Sequence, residues 1–147
     1  MGLVRKFFMP NSYVQSIFQI DLDKLVDKGV KGIITDLDNT LVGWDVKEPT
    51  ERVKAWFKEA NEKGITITIV SNNNESRVAS FSQHLDIDFI FKARKPMGKA
   101  FDKAITKMNI RPDQTVVIGD QMLTDVFGGN RRGLYTIKIG RASCRER

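Results

Sequence analysis

An acidic turn directly follows a strand-like run in the stretch VKGIITDLDNT, residues 30–40. The apolar residues over 30–35 predict a strand, and the polar residues that follow predict its end. Asp36 and Asp38 open the turn, and residues two apart in an extended chain point to the same side. The sequence therefore predicts a strand that presents two carboxylates to one cleft.

Strand-like and helical patterns alternate along the chain that follows. Strands are predicted at 65–70, 89–91, 115–118 and 134–139, with helices at 49–64, after 71–75, at 101–108 and at 123–130. Such alternation is typical of a parallel sheet with helices on both faces. We therefore expect a three-layer α/β fold of the Rossmann-like type.

The residues before position 30 are predicted to form a helical appendage, residues 1–29. Apolar side chains recur there at helical spacing, first at Val14, Ile17 and Phe18 and then over 22–26. The main domain is expected over 30–139. Residues 140–147, GRASCRER, lack an apolar period and are interpreted as a non-native or truncated tail.

Composition excludes several classes of protein and of site. The 147 residues are 41% hydrophobic, which suits one folded domain, and no apolar run approaches the roughly 20 residues of a membrane span. A single Cys and a single His rule out an intramolecular disulfide and a multi-histidine metal centre. The net charge of +6 is modest and the basic residues are dispersed, so no nucleic-acid partner is expected. Because the N-terminus lacks a signal-like apolar region, a cytoplasmic location is expected.

Polar clusters follow four of the predicted strands. They are Asp36 with Asp38, residues 71–73, Lys92 with Arg94 and Lys95, and Gly119 with Asp120 and Asp125. Ligands of parallel α/β sheets bind at the carboxyl ends of the strands, so these clusters are expected to meet. Crowded carboxylates favour a hard cation such as Mg²⁺, and with a lysine and hydrogen-bond donors they suit a phosphoryl group. A carboxylate beside that group can attack phosphorus.

The same residues resemble the motifs of the haloacid dehalogenase (HAD) superfamily, in the family's order. Residues 33–40 resemble motif I, 70–72 motif II, Lys95 and Pro96 motif III, and 119–125 the GDxxxxD form of motif IV. The stretches SNNNE, KARKPMGKAF and GDQMLTDVFGGNRRG are similar to the YqeG group of HAD type IIIA phosphatases, which is related to phosphatidylglycerophosphate phosphatases. After Ile137 the chain departs from that group.

The resemblance implies a role for each matching residue. Asp36 would be the nucleophile and a metal ligand, and Asp38 would protonate the leaving oxygen, activate water and offer its backbone carbonyl to Mg²⁺. Asp120 would complete the metal site. Thr40 would support the loop, and Ser71, Asn72 and Lys95 would bind the transferring phosphoryl. The short connections between the motifs leave no room for a cap domain, which suits a bulky or surface-held substrate.

Several residues have an ordinary interpretation beside the functional one. Asp125 suits a helix cap as well as metal support. Arg131 and Arg132 are typical of a last helical turn, although a second substrate group could bind there. Residues 5–8, RKFF, are favoured as a packed terminal helix over a membrane contact. Trp44 could line the pocket or pack in the core, and His84 is assigned no role.

The sequence thus predicts a Mg²⁺-dependent phosphomonoester phosphatase that acts through an aspartyl-phosphate. Phosphatidylglycerophosphate is the first substrate that the resemblance suggests, which would bring peripheral contact with a membrane. A soluble nucleotide or sugar phosphate is the alternative substrate. The second class considered is a signalling receiver domain, but receiver domains have no aspartate at the position of Asp38. The third class is a non-catalytic scaffold with the same fold. The oligomeric state is left open.

Overall fold

A parallel sheet forms the centre of the chain in this computed structural model, which describes residues 11–93, 99–120 and 133–140. Its strands are β1 Ser12–Val14, β2 Gly32–Thr35, β3 Thr66–Val70, β4 Asp88–Ile90, β5 Thr115–Gly119 and β6 Tyr135–Ile139. Within the described ranges the sheet has six strands in the order β1-β6-β5-β2-β3-β4. Every neighbouring pair is parallel, as the alternation of patterns predicted.

Helices cover both faces of this sheet. They are α1 Leu22–Asp27, α2 Glu51–Glu62, α3 Glu75–Ser82 and α4 Lys99–Met108, with single 3₁₀ turns at Ile17–Gln19 and Pro112–Gln114. One apolar cluster joins α2 and α3 to strand residues such as Ile33 and Ile69. A second cluster joins α4 to the opposite side chains of the same strands, such as Ile34 and Val70. The predicted three-layer α/β fold is confirmed.

Short polar signals set where these helices begin and end. Thr50 Oγ1 accepts a hydrogen bond of 3.1 Å from the Val53 N–H at the start of α2, and Asn74 Oδ1 accepts one of 2.9 Å from the Arg77 N–H at the start of α3. Gly64 follows α2 with a φ of +84°, a left-handed conformation that costs glycine little. The predicted end of that helix at Gly64 is confirmed.

The helix predicted over 14–18 is wrong. Residues Ser12–Val14 form β1 instead, and Ser12 lies opposite Ile137 of β6. Asn11 starts this pairing, since its N–H donates to the Thr136 carbonyl at 3.0 Å and its Oδ1 accepts from the Thr136 N–H at 2.8 Å. Backbone pairing with a distant strand thus overrides the local helical period. The second predicted face, over 22–26, does form a helix, α1.

The segment between β1 and β2 packs tightly on the rest of the molecule. Ile17 is 1% exposed within the apolar cluster of α2 and α3. The Arg52 guanidinium stacks 4.0 Å from the centre of the Phe18 ring. Lys63 donates a hydrogen bond of 2.7 Å to Asp23, which raises the pKa of Lys63. The boundary at residue 29 stays a prediction, and residues 1–10 and 141–147 lie outside the described chain.

Only short connections leave the carboxyl ends of β2 and β3. A loop over 36–50 joins β2 to α2, and α3 follows β3 after four residues, 71–74. Over residues 36–93 no further domain is inserted after β2 or β3. None of the described helices is both long and apolar enough to cross a membrane.

Candidate active site

Three predicted site residues lie at the carboxyl ends of three adjacent strands. Thr35, the last residue of β2, lies opposite Ile118 of β5 on one side and Ile69 of β3 on the other. Asp36 therefore follows the central strand, with Ser71 and Asp120 just beyond the strands beside it. The Asp36 N–H donates to the Ile118 carbonyl at 3.0 Å, which holds Asp36 against the strand that leads to Asp120.

Asp36 is the most buried acid among these residues. It is 9% exposed, and its backbone carbonyl accepts a hydrogen bond of 3.0 Å from Thr35 Oγ1. An ionised carboxylate so far from water needs compensating hydrogen bonds or a nearby cation. The burial thus fits a carboxylate that is held by polar partners or by a cation.

A tight turn carries the chain from Asp36 to the loop that follows. The Asn39 N–H donates to the Val42 carbonyl at 2.7 Å, and the Leu41 N–H donates to the Leu37 carbonyl at 3.1 Å. Asn39 has a φ of +62°, a conformation that asparagine tolerates better than most residues. Thr40 is 6% exposed, and among the described residues its Oγ1 has no hydrogen-bond partner. Thr40 therefore lies beneath the turn.

The Asp38 carboxylate is held by two side chains that follow β3. Asn73 Nδ2 donates to Asp38 Oδ2 at 2.9 Å. Arg77 donates to the other oxygen, Oδ1, from Nε at 3.2 Å and from Nη2 at 2.9 Å. Asp38 therefore bridges the turn after β2 and the start of α3.

The Arg77 guanidinium also binds the loop over 43–46. Its Nη2 donates to the Gly43 carbonyl at 3.3 Å, and its Nη1 donates to the Val46 carbonyl. We call this set of contacts, from Arg77 to Asp38, Gly43 and Val46, the Arg77 clamp. The clamp thus links the loop over 43–46, at the rim of the site, to the Asp38 carboxylate.

The loop after β3 presents polar groups beside these acids. Ser71 is 1% exposed, and its Oγ accepts a hydrogen bond of 3.1 Å from the Asn73 N–H. The Ser71 backbone continues the pairing with β4, because its N–H donates to the Ile90 carbonyl at 2.9 Å. Asn72 is exposed at the tip. A buried hydroxyl and an exposed amide side chain thus lie next to each other in the loop that follows β3.

These motifs match a known family along most of the chain. A profile that describes a haloacid dehalogenase-like hydrolase matches residues 3–133. The chain belongs to this family.

Two curated relatives of this chain are described as phosphatases. It is 57% identical over 137 residues to the probable phosphatase YqeG of Bacillus subtilis, covering 93% of this chain and 80% of the relative. It is 28% identical over 146 residues to phosphatidylglycerophosphate phosphatase 1 of Arabidopsis thaliana, covering 90% of this chain and 41% of the plant protein. The predicted membership and the predicted phosphatase class are both confirmed.

Solved structures share the haloacid dehalogenase-like fold. One is the 3-deoxy-D-manno-octulosonate 8-phosphate phosphatase of Moraxella catarrhalis, solved with a magnesium ion, a phosphate ion and the sugar acid. It superposes with a TM-score of 0.56 at 15% identity, over 86% of this chain and 88% of the other. At that identity the likeness concerns the fold alone.

The magnesium ion that the family implies fits part of the predicted ligand set. Asp36 and Asp120 offer carboxylate oxygens at neighbouring strand ends, which Mg²⁺ prefers. Within the described ranges no three acidic, histidine or cysteine side chains form a group that could hold a metal ion. The Asp38 carboxylate is engaged by Asn73 and Arg77, and its backbone carbonyl is the ligand atom that the resemblance implies.

Some predicted residues lie outside the described chain. They are Lys95 with its neighbours Arg94 and Pro96, then Asp125, Arg131 and Arg132, together with the helix predicted at 123–130. Trp44 is described and is 73% exposed, so the interpretation as a core residue is wrong. His84 lines a groove of about 570 Å³ at the opposite edge, where the strands begin, and it has no part in the site.

The sequence interpretation missed Asn73 as a contact of Asp38, and it missed Arg77 altogether. One physical signal pointed to Arg77, the third residue of α3. The positive end of a helix dipole disfavours a cation in the first turn, so an arginine there calls for an acidic partner. The chain offers many acids, and only the folded arrangement identifies Asp38 as that partner.

Proposed function

We propose that this chain is a Mg²⁺-dependent phosphomonoester phosphatase that works through an aspartyl-phosphate. The observation that carries the proposal is that Asp36, Ser71 and Asp120 each follow the carboxyl end of one of three adjacent strands, with Asp38 in the turn after Asp36. A nucleophile, a proton donor, hydrogen-bond donors and cation ligands are the groups that phosphoryl transfer needs. A cytoplasmic location, with contact to the membrane surface if the ester is a lipid, is part of the proposal.

Two aspartates divide the chemistry. An Asp36 carboxylate oxygen attacks phosphorus, the bond from phosphorus to the leaving oxygen breaks, and Asp38 gives that oxygen its proton. Asp38 then takes a proton from a water molecule that attacks the phosphorus of the aspartyl-phosphate. The bond from the Asp36 oxygen to phosphorus breaks, inorganic phosphate leaves, and Asp36 is again a carboxylate while Asp38 is again protonated.

Other residues bind and neutralise the phosphoryl group. Ser71 and Asn72 would donate hydrogen bonds to its oxygens, with Thr40 supporting the turn beneath them. Lys95, by resemblance, would add a positive charge. Asp36, Asp120 and the Asp38 carbonyl would hold Mg²⁺, which when bound neutralises charge on the phosphoryl oxygens.

The substrate proposal is a phosphomonoester whose remainder does not enter an enclosed pocket. The connections over 36–93 support this, because they insert no cap domain after β2 or β3. The likeness to a phosphatidylglycerophosphate phosphatase favours a lipid headgroup. A soluble sugar or nucleotide phosphate is the alternative.

Phosphate release from short-chain phosphatidylglycerophosphate and from a panel of soluble esters tests the proposal. Each ester is assayed with Mg²⁺ and with EDTA. We expect Mg²⁺-dependent release that falls at least ~10³-fold in Asp36→Asn, since covalent catalysis is then lost. Asp27→Asn, the same change at an exposed residue of α1, should keep full activity.

The outcomes separate the alternatives. Release from the lipid alone supports the lipid substrate, whereas release from soluble esters alone keeps the phosphatase and rejects the lipid. A folded protein that releases phosphate from none of these esters would contradict the proposal and favour a scaffold. Activity that survives both EDTA and Asp36→Asn would contradict the mechanism.

A further inference from the structure

We propose that Arg77 is a positioning residue for phosphoryl transfer. Its guanidinium sets the orientation of the Asp38 carboxylate and couples that orientation to the loop over 43–46. The inference rests on the proposed function, because it concerns the carboxyl group of Asp38, which gives a proton to the leaving oxygen and is the ionised partner of Arg77 once that proton has left.

Both oxygens of the Asp38 carboxylate are engaged. Arg77 donates twice to Oδ1, at 2.9 and 3.2 Å, and Asn73 donates to Oδ2 at 2.9 Å. Rotation about the bond between Cβ and Cγ would break contacts on both sides at once. The pair therefore holds Asp38 in one rotamer, and general acid catalysis depends on such fixed geometry.

The pair is partly withdrawn from water. The side chains of Arg77 and Asp38 are 14% and 22% exposed, and the guanidinium lies 5.7 Å from the centre of the buried Phe81 ring. An ion pair in such surroundings is screened less than one on the surface. Arg77 also occupies the first turn of α3, where the helix dipole disfavours a cation. Its place is better explained by the contact with Asp38 than by helix stability.

The clamp extends from Asp38 to the rim. Arg77 binds the carbonyls of Gly43 and Val46, and between them Trp44 is 73% exposed. The group that leaves with the Asp38 proton must depart beside this carboxylate, and therefore near this loop. The Arg77 guanidinium thus connects Asp38, the proton donor, to the loop over 43–46, which a leaving group would contact.

This role predicts a dependence on the leaving group. A weakly basic leaving group, such as p-nitrophenolate, departs without a proton, whereas phenolate and alkoxides need one. Misplacing Asp38 should therefore slow esters of basic leaving groups selectively. The ratio kcat/KM reports this effect, because it covers the steps up to cleavage of the ester bond.

Arg77→Ala tests the proposal with p-nitrophenyl, phenyl and benzyl phosphate. We expect kcat/KM for phenyl and benzyl phosphate to fall roughly 100-fold, which is the lower end of the usual contribution of general acid catalysis. For p-nitrophenyl phosphate, kcat/KM should fall less than about 3-fold. Added guanidinium ion should restore part of the loss, while sodium chloride at equal ionic strength should not. Arg77→Lys should recover little, because an ammonium cannot reproduce the fork of donors.

Arg52→Ala is the matched control, since the guanidinium of Arg52 stacks on Phe18 in the segment before β2. It should leave the three kcat/KM values in their wild-type ratios. An Arg77→Ala protein slowed equally on all three esters would overturn the proposal, because a general loss of structure acts in that way. Unchanged activity on all three would overturn it too.

Hydrogen exchange supplies a readout apart from turnover. Amides over 43–47 should exchange faster in Arg77→Ala than in the wild type, while those of β3 and β5 stay the same. Equal exchange over 43–47 would overturn the coupling to the loop. If the wild type releases no phosphate from any ester, both the proposed function and this role fail. An active wild type with a uniformly slowed variant contradicts this role alone.

Discussion

At the scale of a single residue, Asn39 holds the turn that separates the two site aspartates. Its φ of +62° lies in the left-handed region, where a side chain with a Cβ costs roughly 1–2 kcal/mol unless it bonds locally. We expect Asn39→Ala to lower the free energy of unfolding by about 1 kcal/mol. Urea unfolding at equilibrium, followed by circular dichroism, measures this change.

Asn39→Gly is the matched variant, because glycine adopts the left-handed region without a steric cost. Its free energy of unfolding should stay within ~0.5 kcal/mol of the wild type. If glycine and alanine destabilise the protein equally, the asparagine side chain and not the backbone conformation is what matters at this position.

The residue scale also shows what the sequence could predict about the site. Asp36 and Ser71 were placed at one edge because each directly follows an apolar strand of recognisable length. The contact between Arg77 and Asp38 joins residues 39 apart and depends on how α3 lies against the sheet. No period or motif in the sequence encodes that angle, so the contact could not be predicted.

At the scale of an element, Thr68 is a polar residue in the middle of a buried strand. It is 0% exposed in β3, and among the described residues its Oγ1 has no hydrogen-bond partner. Valine has nearly the same shape and leaves no hydroxyl to desolvate. We expect Thr68→Val to raise the free energy of unfolding by about 1 kcal/mol, measured as a shift of the urea midpoint.

Thr115→Val is its counterpart at the start of β5. Thr115 is 2% exposed, but its Oγ1 donates to the Arg111 carbonyl at 2.9 Å. The same chemical change should here lower the free energy of unfolding by about 1 kcal/mol. If Thr68→Val and Thr115→Val changed the free energy of unfolding in the same direction, the hydrogen bond of the hydroxyl would not explain the effect.

Elements with a long apolar period were predicted well, whereas the three-residue strand β1 was not. The predicted helix at 49–64 corresponds to α2 Glu51–Glu62, because its apolar face repeats over three turns. The three residues of β1, Ser12–Val14, carry too little pattern to indicate a strand. Their conformation depends on β6, more than a hundred residues away, and the local helical spacing at 14–18 was therefore misleading.

At the scale of the whole molecule, the segment before β2 belongs to the core. Ile17 is 1% exposed and packs in the same apolar cluster as α2. We expect Ile17→Ala to lower the free energy of unfolding by about 2–5 kcal/mol, as for other large-to-small changes in cores. Thermal and urea unfolding of the full chain would both report this loss.

Val26→Ala is the control within the same segment, since Val26 lies on α1 and is 40% exposed. Its effect should stay within ~0.5 kcal/mol, as for other surface changes. A small effect of Ile17→Ala as well would mean that the segment before β2 is only loosely attached. The class of fold was predictable because alternating patterns determine a parallel sheet, whereas this attachment depends on packing that no local pattern records.

The pairing of β1 with β6 also bears on how the protein is made. Asn11 binds Thr136, so 125 positions of sequence separate the two partners. At a synthesis rate of about 5–20 residues per second, roughly 6–25 seconds pass between the appearance of the first partner and that of the second. During that interval the nascent chain carries the residues of β1 without the strand beside which they pair. The pairing of β1 therefore forms only after β6 has been synthesised, so the two ends of the described chain come together late.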